Sequence, residues 1–437
     1  MDRNGAEAMK VTVNPGGIAG HVQAIPSKSN LHRLLICAAL ADRATVIRSA
    51  PTEAVDIHAT ISCLAALGAE ITRREDGFNV IPLNRSKIPA NCVLPCAESG
   101  STLRFMLPVA CALGANAEFH MHGRLPQRPL APLDGLLTAH GIELSFPKLD
   151  VLRATGQLTP GRFSLPGNVS SQFISGLLMA LPLLAGDSEI AVEGVVESMD
   201  YITMTTDTLG VFGQAPGFDG GVYRITSGRP FAGPGTVAAE GDWSNGAFWL
   251  CAGAMPGGDI TQSGLRPDSA QGDREVCNIL ARMGADIHWG EDGLRVSENT
   301  RRGTEIDARA IPDLIPVLAA VAAVSEGTTV VRNAARLRLK ESDRLASTAQ
   351  VLNSLGARVT EDADGLRIEG VPKLRGGVVD SWGDHRIAMM AAVASAACAE
   401  PVTITGAQAV NKSYPAFWDV LRQLGKAVQV EAGESGA

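Results

Sequence analysis

Six stretches of the chain are almost all apolar and small-sided behind a polar head. They are "SKSNLHRLLICAALA" from Ser27, "SGSTLRFMLPVACALGA" from Ser99, "SSQFISGLLMALPLLAG" from Ser170, "GDWSNGAFWLCAGAM" from Gly241, "IPDLIPVLAAVAAVSEG" from Ile311 and "SWGDHRIAMMAAVASAACA" from Ser381. A surface helix keeps charge along its outer face, so an all-apolar circumference predicts a helix buried inside a domain. Each run has about 12 to 15 residues, short of the roughly 20 that span a bilayer. Their heads fall near residues 28, 100, 171, 243, 313 and 384, about 70 apart.

Between the runs a second pattern repeats: an amphipathic helix ending in glycine, then a strand, a turn and another strand. "CLAALGAEITRREDGFNVI", "ILARMGADIHWGEDGLRVS" and "VLNSLGARVTEDADGLRIE" are the clearest copies. In the first, Ile57, Ile61, Leu64 and Leu67 keep helical spacing, while "AEITRRED" and "GFNVIP" read as strands. The terminal glycines Gly68, Gly141, Gly213, Gly284, Gly356 and Gly425 recur at intervals of 69 to 73 residues. Glycine there suits the left-handed residue that ends a helix, and the Asp-Gly pairs suit hairpin turns. A period held six times predicts six copies of one unit: strand, buried helix, strand, amphipathic helix, strand, strand. At 437 residues the chain is too long for one core, so the units divide into two domains of three. The fold class is α/β (α+β), each domain holding three βαβαββ units with buried parallel helices and outer four-stranded sheets. The six polar heads would then emerge together where the domains face each other. Helix N-termini carry unsatisfied N–H groups and partial positive charge, so such a place attracts anions. Ser, Asp and Asn also cap helices routinely. Lys28, Arg33, Arg104 and Arg386 fit that plain reading poorly, because cations at a positive helix end need an anion to join them.

Composition narrows the chemistry. The net charge of −8 argues against a bulk nucleic-acid binder, and 45% hydrophobic residues suit a large buried interior. Eight cysteines without a CxxC pair read as reduced core residues of a cytoplasmic protein. Residues 1–10 are polar and show no secretory signal, and residues 431–437 read as a frayed tail. No GxxxxGK[ST] loop or convincing dinucleotide fingerprint occurs, and His120 and His122 match no zinc motif, so no metal is expected.

The segments "SKSNLHR", "SSQF", "IPDL", "LKESDRL", "GDHR" and "NKSYPAF", in this order and spacing, resemble the 5-enolpyruvylshikimate-3-phosphate synthase family from about Lys10 to Gly425. The resemblance implies two domains joined by two crossovers and closing on substrates. It also implies transfer of the enolpyruvyl group of phosphoenolpyruvate to the 5-hydroxyl of shikimate 3-phosphate, the sixth step of the shikimate route to aromatic amino acids. It implies a monomer without cofactor or metal, with no nucleic-acid or membrane partner. The contiguous domain would be 26–241, on the shikimate 3-phosphate side. Residues 9–25 plus 242–437 would form the other, with the phosphoenolpyruvate clamp and the acid/base residues.

By the same resemblance, Lys28, Ser29, Arg33, Ser170, Ser171, Gln172, Ser198, Tyr201, Asp313 and Lys340 bind shikimate 3-phosphate. Lys28, Gly100, Arg128, Gln172, Arg344, Arg386 and Lys412 bind phosphoenolpyruvate, and Asp313, Glu341, Lys28 and Lys340 are catalytic. The residue types suit the task. Two phosphates and two carboxylates need fixed cations, and adding a hydroxyl across a double bond needs a base and an acid. Which group moves which proton is open, and their titrations are coupled. Glu98-Ser99-Gly100-Ser101 departs from the family's usual Asn-Ala-Gly-Thr, Phe105 stands where proline is common, and Arg336 holds a variable position. These bear on substrate affinity and glyphosate sensitivity. A UDP-N-acetylglucosamine enolpyruvyl transferase would share the architecture, but His122 to Pro129 lacks that enzyme's cysteine. A non-catalytic clamshell binder would leave Asp313 and Glu341 without work.

Overall fold

The computed structural model describes residues 9–194 and 196–431. The expected N-terminal and C-terminal tails lie outside them, apart from Met9, Lys10 and Glu431. Twelve α-helices are found among the described residues: α1 (Lys28–Ala39), α2 (Val55–Ala66), α3 (Gly100–Ala112), α4 (Leu133–Ala139), α5 (Ser171–Ala180), α6 (Met199–Val211), α7 (Trp243–Ala254), α8 (Val276–Met283), α9 (Ile315–Ala322), α10 (Arg344–Ser354), α11 (His385–Ala394) and α12 (Phe417–Gln423). The odd-numbered helices are the apolar runs. Every residue of α9 and α11 is buried, the latter including His385 and Arg386. The even-numbered helices follow the amphipathic pattern. All six terminal glycines have φ between +73° and +101°, where a Cβ would be strained.

The strands form six four-stranded sheets among the described residues. In the sheet that follows α2, Asn91–Ala97 runs parallel to Asn116–Met121, and Val151–Gly156 runs antiparallel between that strand and Ile142–Lys148. Gly77, Gly293 and Gly365 open the third strand of three such sheets. A Cβ at any of them would collide with a neighbouring strand's carbonyl, that of Ile47, Gln262 or Val331.

Three of the six units are not self-contained. Ala19–Gln23 precedes α1 in sequence but pairs in parallel with Asp259–Ser263. Thr236–Ala238 precedes α7 but pairs in parallel with Thr45–Arg48. The first and fourth units have exchanged their opening strands. Among the described residues the last unit supplies one strand after α12, Val428–Glu431, and Lys10–Val13 inserts beside it, antiparallel to it and to Val402–Thr405. Nothing inside these strands of three to five residues names a partner, because so short a segment satisfies any sheet edge of matching polarity.

The exchange explains the division of the chain. One compact unit is Pro26–Glu240, and the other joins the residues up to Ile25 with Gly241 onward. Gly241, expected in the contiguous domain, lies in the discontinuous one. Its carbonyl accepts a hydrogen bond from Gln271 Nε2 (2.8 Å), and its backbone packs on Ala24 and Gly264 too closely for a side chain. Each unit has its own core. In the contiguous unit α3 packs on α5, and in the other α7, α9 and α11 pack on one another. No helix among the described residues is long and apolar enough to cross a membrane.

Candidate active site

Five of the six buried helices are capped as their sequences suggest. Ser27, Ser99 and Ser170 accept from the backbone N–H of Asn30, Thr102 and Gln172, at 3.3 to 3.4 Å. Asp242 accepts from Asn245 N–H (2.7 Å) and Asp384 from Arg386 N–H (2.9 Å). The exception is α9. Pro312–Leu314 form a 3₁₀ turn ahead of it, and no side chain caps the helix. Asp313 lies in that turn, so its carboxylate is not spent on backbone N–H groups and turns to cations.

Arg344 Nη1 donates to Asp313 Oδ1 at 2.6 Å and Lys340 Nζ to the same oxygen at 3.3 Å. Arg386 Nη2 lies 3.4 Å from Oδ2, and its Nη1 donates to the Asp313 carbonyl at 3.0 Å. Arg344 is the hub of the cluster. It also donates through Nη2 to Glu341 Oε2 (2.7 Å) and through Nε to Asp384 Oδ2 (2.8 Å). Lys412 Nζ stands 3.8 Å from Glu341 Oε1. Asp313, Lys340, Glu341, Arg344, Arg386 and Lys412, from four separate stretches of sequence, therefore form one cluster. A plain salt-bridge turn opening α10 does not describe it, because Arg344 is buried and Asp343 does the capping, accepting from Leu345 and Ala346 N–H at 3.2 Å each.

The electrostatics follow from burial and sign. Burial pushes the Asp313 carboxyl up, but Arg386, Lys340 and Arg344 outweigh it and hold the group well below the usual carboxylate range, with Glu341 opposing them. Burial lowers the Lys340 ammonium despite the pull of Asp313. For Arg344, burial is overcome by Asp384, Glu341 and Asp313, and its affinity for the proton rises. Arg386 Nε is buried and finds no hydrogen-bond acceptor among the described residues.

The contiguous unit holds the other expected residues in two groups. Around α1, Lys28 Nζ donates to Asp56 Oδ2 (2.7 Å). Arg33 is spent on helix packing. It donates to Thr205 Oγ1 (2.7 Å), the Ser29 carbonyl (2.6 Å), the Tyr201 carbonyl (2.9 Å) and Ser175 Oγ (3.4 Å), and its guanidinium lies 5.0 Å from the Phe105 ring centroid. Burial lowers its pKa to about 10. Ser198, just before α6, is left-handed at φ +55°.

The second group gathers at the heads of α3 and α5. Arg104 Nη1 donates to Gln172 Oε1 (3.3 Å), and Gln172 Nε2 donates to Ser101 Oγ (3.0 Å). A Cβ on Gly100 would lie 2.6 Å from Arg104 Nη1 and 2.7 Å from Arg128 Nη1, so glycine makes room for two guanidinium groups. Ser170 is the cap of α5 and Ser171 its buried first residue. Glu98 Oε1 accepts from Arg124 N–H (3.0 Å). Sequence reasoning left out Asp56, Ser244 and Asp384 as partners of the site cations. Each sits at a helix head, where a short polar residue reads simply as a cap.

Residues 13–421 match the family EPSP synthase (3-phosphoshikimate 1-carboxyvinyltransferase). The chain is 43% identical over 419 residues to the 3-phosphoshikimate 1-carboxyvinyltransferase of Clostridium kluyveri, covering 95% of this chain and 97% of that protein. It is 42% identical over 421 residues to the enzyme of the same name from Clostridium acetobutylicum, with the same coverage. Among solved structures, the EPSP synthase of Acinetobacter baumannii superposes with a TM-score of 0.79 at 24% identity, over 97% of this chain and all of that one. The enolpyruvyl transferase NikO of Streptomyces tendae does so with 0.78 at 20% identity, over 98% of this chain and all of that one. At such identities these two establish the fold alone. With the family match over nearly the whole length and the Clostridium relatives beside it, the chain belongs to the EPSP synthase family.

Proposed function

We propose that the chain transfers the enolpyruvyl group of phosphoenolpyruvate to the 5-hydroxyl of shikimate 3-phosphate, releasing phosphate, with the Asp313 cluster supplying the acid–base chemistry. The observation that carries this reading is the uncapped turn before α9, where one carboxylate is held by Lys340, Arg344 and Arg386. In the reaction the 5-hydroxyl oxygen bonds to C2 of phosphoenolpyruvate, its proton goes to a base, and C3 takes a proton from an acid. Phosphate then leaves C2 as C3 loses a proton. Arg344, Arg386 and Lys412 suit the carboxylate and phosphate of the donor, together with Gly100, Arg128, Gln172 and Lys28. Lys28, Ser29, Arg33, Ser170, Ser171, Gln172, Ser198, Tyr201, Asp313 and Lys340 are the shikimate 3-phosphate candidates. Arg33 and Ser170 would act mainly by holding α1 and α5 in place, since their polar atoms are already engaged.

The cation field makes Asp313 a weak base on its own. Anionic substrates that neutralise Arg344, Arg386 and Lys340 remove the field that depresses it, and so raise its proton affinity as the hydroxyl arrives. Burial has already loosened the Lys340 proton, which suits that residue to serve as the acid, and Glu341 is the other candidate. We expect a cytoplasmic monomer needing no metal or cofactor. Mixing purified protein with both substrates should release one phosphate per shikimate 3-phosphate consumed. No release would leave only a binder, and release that required a UDP-sugar instead would point to the related transferase.

A further inference from the structure

We propose that Asp273 is a positioning residue that fixes the direction of the Arg386 guanidinium through Ser244. Arg386 opens α11, and Ser244 lies in the first turn of α7. Arg386 Nη2 donates to Ser244 Oγ at 2.7 Å, Nη1 approaches the Ser244 carbonyl at 3.5 Å, and the guanidinium stands 6.0 Å from the Phe248 ring centroid. Asp273 is buried and shares a hydrogen bond with Ser244. A serine hydroxyl carries one proton and rotates freely. When a carboxylate accepts that proton, the oxygen's lone pairs are left for the guanidinium, and the rotor stops.

The turn bearing Asp273, Gly272–Glu275, is itself tied to the head of α7. Gln271 Oε1 accepts from Trp243 N–H at 3.2 Å while its Nε2 donates to the Gly241 carbonyl at 2.8 Å, so carboxylate and hydroxyl ride on one rigid bracket. Burial, helped by Asp313 and Asp242, pushes the Asp273 carboxyl up to about 7, against the pull of Arg386 and the Ser244 hydrogen bond. Near neutral pH the group is therefore divided between its two forms.

This inference rests on reading Arg386 as a donor clamp, and the test separates the two. Steady-state constants are measured for Arg386→Lys, Asp273→Asn, Ser244→Ala, Ser244→Thr and the Asp273→Asn/Ser244→Ala pair, with melting temperatures alongside. Asp273→Asn and Ser244→Ala should each raise the phosphoenolpyruvate KM about three- to tenfold, the scale of one lost hydrogen bond, with the shikimate 3-phosphate KM unchanged. The double variant should be no worse than Ser244→Ala, because the residues act in series, and Ser244→Thr, which keeps the hydroxyl, should recover most of the loss. The ratio of variant to wild-type KM for Asp273→Asn should grow as pH rises through 7, since Asn imitates the protonated acid. Were the carboxylate only an extra negative charge, the ratio would shrink instead and positioning would be wrong. A lowered melting temperature with unchanged KM, or fully additive effects, would also overturn it. If Arg386→Lys leaves the phosphoenolpyruvate KM unchanged, the clamp reading falls and this inference with it. If Arg386→Lys raises KM while Asp273→Asn and Ser244→Ala do not, only this inference falls.

Discussion

Moving a carboxylate out of water costs several kcal/mol, and burial by itself pushes the Asp313 carboxyl up. Three cations reverse that outcome, which ties the residue's charge to its neighbours rather than to solvent. Asp313→Asn should lower kcat by about 100- to 10,000-fold, as losses of one acid–base group do, while the dissociation constant of shikimate 3-phosphate changes little. Near-normal turnover would remove Asp313 from the chemistry. The pH dependence has a fixed sign. Because the folded pKa lies below the unfolded value of about 3.9, the stability from these pairs is fully present above about pH 4 and is lost as pH falls through the folded value. Thermal unfolding should therefore place Asp313→Asn below wild type from pH 5 to 7, with the gap narrowing under pH 4. At Gly100 the crowding atoms are the ends of two arginine side chains. Gly100→Ala should push Arg104 and Arg128 aside and raise the phosphoenolpyruvate KM about tenfold, on the scale of one charge-assisted hydrogen bond. An equal rise in both substrates' KM values would mean that Gly100 serves the turn alone.

Helix and strand glycines do different work, and stability can tell them apart. Gly68 ends α2 at φ +101° with open space where a Cβ would go, so Gly68→Ala should cost about 1 to 2 kcal/mol for the left-handed backbone alone. Gly77 combines φ +133° with a neighbouring strand's carbonyl in the way, and Gly77→Ala should lower the denaturation midpoint distinctly further. Equal midpoints would mean that the sheet yields without cost. The helices were the most legible part of the sequence, because an apolar circumference and a terminal glycine are properties of the segment itself. Strand partners were not, since pairing is decided by distant chain: nothing within Ala19–Gln23 names Asp259–Ser263. The cation cluster was legible through its motifs and the resemblance they carry. Asp273 and Ser244 were not, because a short polar residue near a helix head looks the same whether it caps, relays or does nothing.

At the scale of the molecule, the exchanged strands make the two units unequal as folding bodies. Pro26–Glu240 contains all strands of its three sheets, whereas the segment from Gly241 onward lacks Lys10–Val13 and Ala19–Gln23. An excised 26–240 fragment should unfold cooperatively, and a 241–437 fragment should not. Adding a peptide of residues 1–25 should restore a cooperative transition to the latter. A cooperative transition of 241–437 alone would show those strands to be dispensable. Synthesis adds a time dimension to the same feature. Lys10–Val13, with Val11 and Val13 fully buried at the end, leaves the ribosome before the whole of Pro26–Glu240 and well ahead of its partners Val402–Thr405 and Val428–Glu431. At about 5 to 20 residues per second, this apolar strand waits on the order of tens of seconds without a sheet. Such a strand readily pairs with other chains. A newborn molecule keeps that strand unpaired while the whole of Pro26–Glu240 is made, so slower synthesis should lengthen the exposure and raise the share of molecules lost to aggregation.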